Sequence, residues 1–222
     1  MLQSALALIN RDMAVARAQG GGLGAALGFI LAVMVLVPLA LGPDQMLLQR
    51  LAPGMMWLAL LLSVLLTADR MFAQDFEDGS LDIMTMAKIP FELVTLTKAL
   101  AHWLTVSLPL AIITPPLGLL LSIEANQLPI LFVSMITGSL ALSLLASIGG
   151  AVTAGMRRGG LLVSLLILPL YVPVLIFGVS ATGVNIGPAS AAPALIVLCA
   201  LTLVSLVVAP WASAAALKAY LR

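Results

Sequence analysis

The chain has 222 residues, of which 62% are hydrophobic and 9% charged, and its mean hydropathy is +1.20; soluble domains carry about 25% charged residues, so a soluble globular protein is excluded. About 138 apolar residues, at roughly 20 per crossing, supply about six membrane spans with little remainder, which makes one membrane domain. Ten basic against nine acidic side chains are too evenly balanced for nucleic-acid binding through a basic surface, and a single cysteine (Cys199) with a single histidine (His102) excludes a disulfide framework and a zinc site.

At the N-terminus Leu2, Leu6, Ile9, Met13 and Ala16 recur at spacings of four, three, four and three, one stripe of a helix. Gln3, Asn10, Arg11 and Arg17 lie largely off that stripe, so the segment reads as an amphipathic interfacial helix with its basic side chains in the headgroup zone. A cleaved signal peptide is the competing reading. The apolar run that follows is about 19 residues long against the usual 7 to 15, and the lead-in carries Asp12; both argue for the interfacial helix.

Six apolar runs follow in chain order, at residues 23–41, 53–67, 99–121, 128–153, 160–177 and 192–217. The second is short and is expected to extend at one end, into residues 50–52 or 68–71. Pro38, Pro109, Pro115, Pro116, Pro169 and Pro173 fall inside or at the ends of these runs, which predicts a kinked bundle. Alternate loops differ sharply in charge: Arg11, Arg17, Arg70, Lys88, Lys98, Arg157, Arg158, Lys218 and Arg222 lie on one side and Arg50 alone on the other. Retained positive charge marks the cytoplasmic side, so both termini are expected there. The outer loops, around residues 42–51, 122–127 and 178–191, are short and nearly uncharged.

The longest polar stretch, residues 69–98, is cytoplasmic in this topology and has the core Asp75-Phe76-Glu77-Asp78-Gly79-Ser80-Leu81-Asp82. Gly79 suits the left-handed end of one helix, Ser80 the N-cap of a second, and Asp82 the positive end of its dipole. Ile89-Pro90 then stops the short helix, with Pro90 at the first position of the helix entering the third span. A helix-turn-helix element results, with Phe76, Leu81 and Ile83 as its apolar contacts; a merely solvated loop is the competing reading. Asp69-Arg70 reads as a neutralising pair at the membrane edge, and Glu124 as a solvated outer carboxylate.

Further candidates are few. Arg157-Arg158-Gly159-Gly160 either holds its loop on the cytoplasmic side or, with a tight turn at the glycines, makes a second cytoplasmic contact. His102 lies about one turn inside the boundary set by Lys98 and next to Trp103. It is either a ring satisfied by a neighbouring helix or an iron ligand. None of Lys88, Lys98 or Lys218 is followed by Ser or Thr, so the phosphate-cradling loop is missing and the chain is expected not to be an ATPase. With one cysteine there is no Cys-x-x-Cys-His for covalent haem. The eleven methionines are spread over several helices as packing residues.

The acid-x-acid-x-Gly-Ser-Leu-acid pattern at residues 75–82 resembles the cytoplasmic loop of type-2 ABC export permeases, which docks into a cleft of the ATP-binding subunit. Leu41-Gly42-Pro43, Leu51-Ala52-Pro53-Gly54 with Trp57, Ala101-His102-Trp103, Leu108-Pro109-Leu110, Arg157-Arg158-Gly159-Gly160, Leu168-Pro169-Leu170 with Pro173, and Pro210-Trp211-Ala212-Ser213 resemble one branch, the CcmB family. The resemblance covers nearly the whole chain. It implies an all-α integral membrane protein with six transmembrane helices, an N-terminal amphipathic interfacial helix and a coupling loop between the second and third, forming one ABC permease domain over residues 1–222. The implied function is the membrane permease subunit of a haem export system in c-type cytochrome biogenesis, in the bacterial inner membrane. That system would include a CcmA-like ATPase that binds ATP, CcmC-like and CcmD-like membrane proteins and a CcmE-like haem acceptor, with this chain a homodimer and haem as cargo rather than as a bound cofactor. Asp75, Phe76, Glu77, Asp78, Gly79, Ser80, Leu81 and Asp82 carry the ATPase-coupling role over from the family. Whether hydrolysis moves haem itself or releases the loaded acceptor stays open in the residues. So do export of a drug, lipid or polysaccharide, and a scaffold that transports nothing.

Overall fold

The computed structural model of the chain describes residues 2–18, 22–86, 89–156, 159–182 and 191–220. Among them every regular element is helical: α1 (Leu2–Ala18), α2 (Leu23–Leu41), α3 (Gln45–Ala68), α4 (Arg70–Glu77), α5 (Ser80–Met86), α6 (Phe91–His102), α7 (Leu108–Leu117), α8 (Leu128–Thr153), α9 (Gly159–Ala181) and α10 (Ala191–Tyr220). Six stretches are long and apolar enough to cross a membrane: Leu23–Leu41, Gln45–Glu77, Phe91–Leu121, Ala125–Thr153, Ser164–Ala181 and Ala191–Tyr220. The chain is therefore an all-α multi-pass membrane protein, as its composition requires.

The second span grows at both ends rather than one. Asp44 caps α3 by accepting the Leu47 amide at 3.0 Å, which starts the helix at Gln45, and the helix runs on to Ala68. Pro90 stands one position earlier than expected, as the N-cap of α6. Upstream of Pro109, which has no N–H to continue the ladder, the chain widens into a π-helical turn at Trp103–Ser107 that joins α6 to α7.

Small residues set the packing. α8 sits at the centre against α3, α6, α7, α9 and α10, and its Gly138, Ser139, Ala141, Ala146, Gly149 and Gly150 are buried, which lets neighbouring backbones approach. Gly150 lies so near α3 that a Cβ there would stand 2.6 Å from the Ala68 carbonyl oxygen. Trp57 of α3, fully buried, lies between Gly138 of α8 and Gly178 of α9. Hydroxyls tie the helices where lipid offers no partner: Ser63 Oγ donates to the Ala26 carbonyl at 3.2 Å, Tyr171 Oη to the Leu142 carbonyl at 3.0 Å, and Ser147 and Ser213 share a bond of 3.0 Å.

The two ends of the bundle differ in charge. At one end Arg11, Arg70 and Lys98 line a common cavity, and Lys218 pairs with Glu92 at 2.7 Å. At the other lie Arg50, near the start of α3, and Glu124, which accepts from Gln49 at 3.2 Å and from Asn126 at 3.1 Å.

Candidate functional site

The site is built on the charged end by α4 and α5. Gly79 takes the left-handed conformation at φ 76°, as expected of the residue between the two helices. Ser80, expected as the cap, is instead the first residue of α5, and its amide donates to Asp78 Oδ1 at 2.8 Å. Hydrogen bonds from the Ser80 side chain and amide hold the Asp78 carboxyl below its usual range. A carboxyl lowered in the folded state stabilises it above the ordinary range, and that contribution is lost as pH falls through the lowered value. Protection of the Ser80 amide from hydrogen exchange is therefore expected to hold at neutral pH and to fall in acid with the titration of Asp78. Asp78→Asn is expected to flatten that dependence.

The pair has an inward and an outward face. Leu81 is 0% exposed and packs with Phe72, Met84, Phe91, Val94, Ala151 and Leu217, which join α4 and α5 to the ends of α6, α8 and α10. Phe76 is half-buried, its ring edge-on to Tyr220 at 6.0 Å and 75°. Two of the three expected apolar contacts are thus engaged within the chain itself. The free apolar surface is Ile83, 72% exposed, and Met86, 85% exposed, flanked by exposed Glu77, Asp78 and Asp82. Met86 was missed by the sequence reading. Its signal was the three-residue spacing from Ile83, which puts both on the side of α5 away from Leu81 and Met84.

Asp75 also faces inward. It is 6% exposed and forms ion pairs with Arg11 of α1 and Lys98 of α6, itself 6% exposed. Asp12 completes the cluster, with Oδ2 at 3.4 Å from Lys98 Nζ and Oδ1 at 3.4 Å from Arg11 Nε. Burial raises the Asp12 carboxyl above its usual range, opposed by Lys98 and Arg11. Arg11 is therefore held by protein carboxylates rather than by the headgroup zone, and the inner side of α1 is Leu8, Asp12, Val15 and Ala16. Behind the cluster lies a cavity of about 320 Å3, walled by α1, α4, Thr67, Thr105 and His102, with Arg70 and Gln74 among its lining residues. Arg70 does not pair with Asp69, whose Oδ1 is buried without a hydrogen-bond partner among the described residues.

His102 closes the inner end of the cavity. Nε2 is 2.8 Å from Thr67 Oγ1, and Nδ1 is 3.2 Å from Ser143 Oγ, which is 2.6 Å from Ser107 Oγ. Because Thr67 donates its hydroxyl hydrogen to the Val64 carbonyl at 2.9 Å, the ring donates Nε2–H to Thr67 and accepts at Nδ1 from Ser143. Both ring nitrogens are then engaged by α3 and α8, the arrangement of a ring that joins helices. Arg157 and Arg158 lie outside the described residues, as does Lys88; Gly159 and Gly160 open α9.

The sequence profile of the CcmB protein family matches residues 3–220 of the chain. Heme exporter protein B of Paracoccus denitrificans is 53% identical over 97% of this chain and 99% of its own length. The protein of the same name from Bradyrhizobium diazoefficiens is 49% identical over 96% of each, and that of Escherichia coli K12 is 37% identical over 86% of this chain and 87% of its own. The chain belongs to the CcmB family.

Proposed function

We propose that this member of the CcmB family is the membrane permease subunit of an ABC transporter for haem export in c-type cytochrome biogenesis. The observation that carries the reading is the 53% identity to a heme exporter protein B, spread over 97% of the chain. The geometry supports a division of labour with a separate ATP-binding subunit: α4 and α5 offer Ile83 and Met86 within an acidic surround at the charged end of the bundle. Apolar anchors in the centre of such a contact supply affinity, and acidic neighbours steer the encounter. ATP-driven closure of the partner would displace this helical pair, and the core around Leu81 would pass the displacement to α6, α8 and α10. Charge asymmetry supports a topology with the α4–α5 end and both termini in the cytoplasm of a bacterial inner-membrane protein. A chain with six spans and no ATP site forms half of a minimal exporter, so two copies are expected with two ATPase subunits, beside CcmC-like, CcmD-like and CcmE-like partners.

Cells lacking this chain are expected to lose c-type cytochromes while b-type haem persists, and the tagged chain is expected to carry two ATPase subunits per two permeases in native mass spectrometry. Normal c-type cytochrome levels in the deletion strain would overturn the haem reading. A complex without an ATPase would overturn the coupling.

A further inference from the structure

The four-residue cluster above the cavity is more than a neutral patch, because its charges are redundant in one direction only. Asp75 is the member that joins α4 to both α1 and α6. Asp12 reaches the same two cations from α1, at 3.4 Å each. If Asp75 leaves, Arg11 and Lys98 each keep a carboxylate within reach. If both carboxylates leave, Lys98, 6% exposed, has no counter-ion, a condition that proteins tolerate poorly. Lys98 reaches both carboxylates at once, so with the Asp75 end of α4 displaced it still keeps Asp12.

We propose that Asp75 is a latch that closes α4 over the cavity lined by Thr67, Thr105 and His102, and that Asp12 is the reserve counter-ion that lets the latch open. Docking of the ATP-binding subunit on Ile83 and Met86 pulls the Asp75 end of α4 outward, Lys98 and Arg11 keep Asp12, α1 stays on α6, and the cavity opens to the cytoplasm. The release step rests on the ATPase-coupled reading given above; the latch rests on the ion pairs alone.

The test uses the complete complex in inverted membrane vesicles, with Cys199→Ser to remove the native thiol and Thr105→Cys as a reporter inside the cavity. A membrane-impermeant maleimide is expected to label the parent slowly, and about tenfold faster once ATP is bound. Asp75→Asn is expected to label at the fast rate without nucleotide and to accumulate normally, because Asp12 holds the cations; Arg11→Gln is expected to shift the rate in the same direction. Asp12→Asn alone is expected to label slowly like the parent, whereas Asp12→Asn with Asp75→Asn is expected to accumulate to less than about a tenth of the parent level. Slow labelling of Asp75→Asn, or its failure to accumulate, overturns the latch. A parent that responds to ATP beside an unresponsive Asp75→Asn that still labels slowly leaves the coupling reading intact and removes the latch. Fast labelling of Asp75→Asn beside a parent indifferent to ATP supports the latch and overturns the coupling on which its release depends.

Discussion

Replacing Ile83 and Met86 together by serine is expected to abolish recovery of the ATP-binding subunit while the permease reaches the membrane at its normal level. Both side chains are the large apolar groups of α5 that no other part of the described chain covers, at 72% and 85% exposure. A central apolar anchor contributes about 2 kcal/mol or more to an interface, and 1.4 kcal/mol is about tenfold in affinity. Each single serine is therefore expected to weaken recruitment by about thirtyfold, and the pair to remove it. Leu81→Ala is expected to behave in the opposite way. Leu81 is 0% exposed and packs among Phe72, Phe91, Val94 and Leu217, so its truncation should cost about 2 to 5 kcal/mol of the permease's own stability. Lower membrane abundance, with the surviving protein still binding ATPase in proportion, is the expected result. The paired measurement is abundance by immunoblot and ATPase recovered per permease. Normal recovery from the double serine variant would remove α5 from the contact.

Those contrasting outcomes mark where the sequence stops being legible. The spans were readable because about 20 residues of unbroken apolar character leave few alternatives in lipid. The turn between α4 and α5 was readable because Gly79 takes the left-handed conformation without steric cost, and the break before α6 because Pro90 restricts the residue preceding it. The facing of those helices was not. With 8 and 7 residues, and with Leu81 and Met84 on one side of α5 and Ile83 and Met86 on the other, both sides carry the same apolar signal. Only the placement of α6, α8 and α10 decides which is buried. The ion cluster was hidden for a different reason: Arg11 and Asp75 are 64 positions apart and Lys98 and Asp12 are 86 apart, so no local spacing joins them. Arg11 looked like a headgroup residue because charge near a membrane edge ordinarily is one. His102 could be read as polar and near the interface, yet its partners Thr67 and Ser143 come from two other helices.

The packing of Trp57 leads to the largest expected effect on the fold itself. In lipid, helices gain little from hiding apolar surface and are held by close contact, so interfaces depend on where small residues let backbones meet. Trp57 fills the space between α8 and α9 because Gly138 and Gly178 face its ring; a Cβ on Gly178 would stand 2.6 Å from both Cε2 and Cη2, inside any normal contact. The indole is rigid and fully buried, and cannot swing aside as a methionine end can. Gly178→Ala is therefore expected to force α9 away from α3 at about 1 to 3 kcal/mol or more, and Gly178→Val to prevent accumulation. If the clash is with the ring, shrinking the ring should relieve it: Trp57→Leu with Gly178→Ala is expected to be more stable than Gly178→Ala alone, although Trp57→Leu by itself loses packing. Trp57→Leu should leave no unmet partner behind, because among the described residues Trp57 Nε1 has no hydrogen-bond acceptor. The measurement is the melting temperature of the detergent-solubilised permease for the parent, both single variants and the double. Additive losses in the double variant would show that Gly178 acts elsewhere than on Trp57.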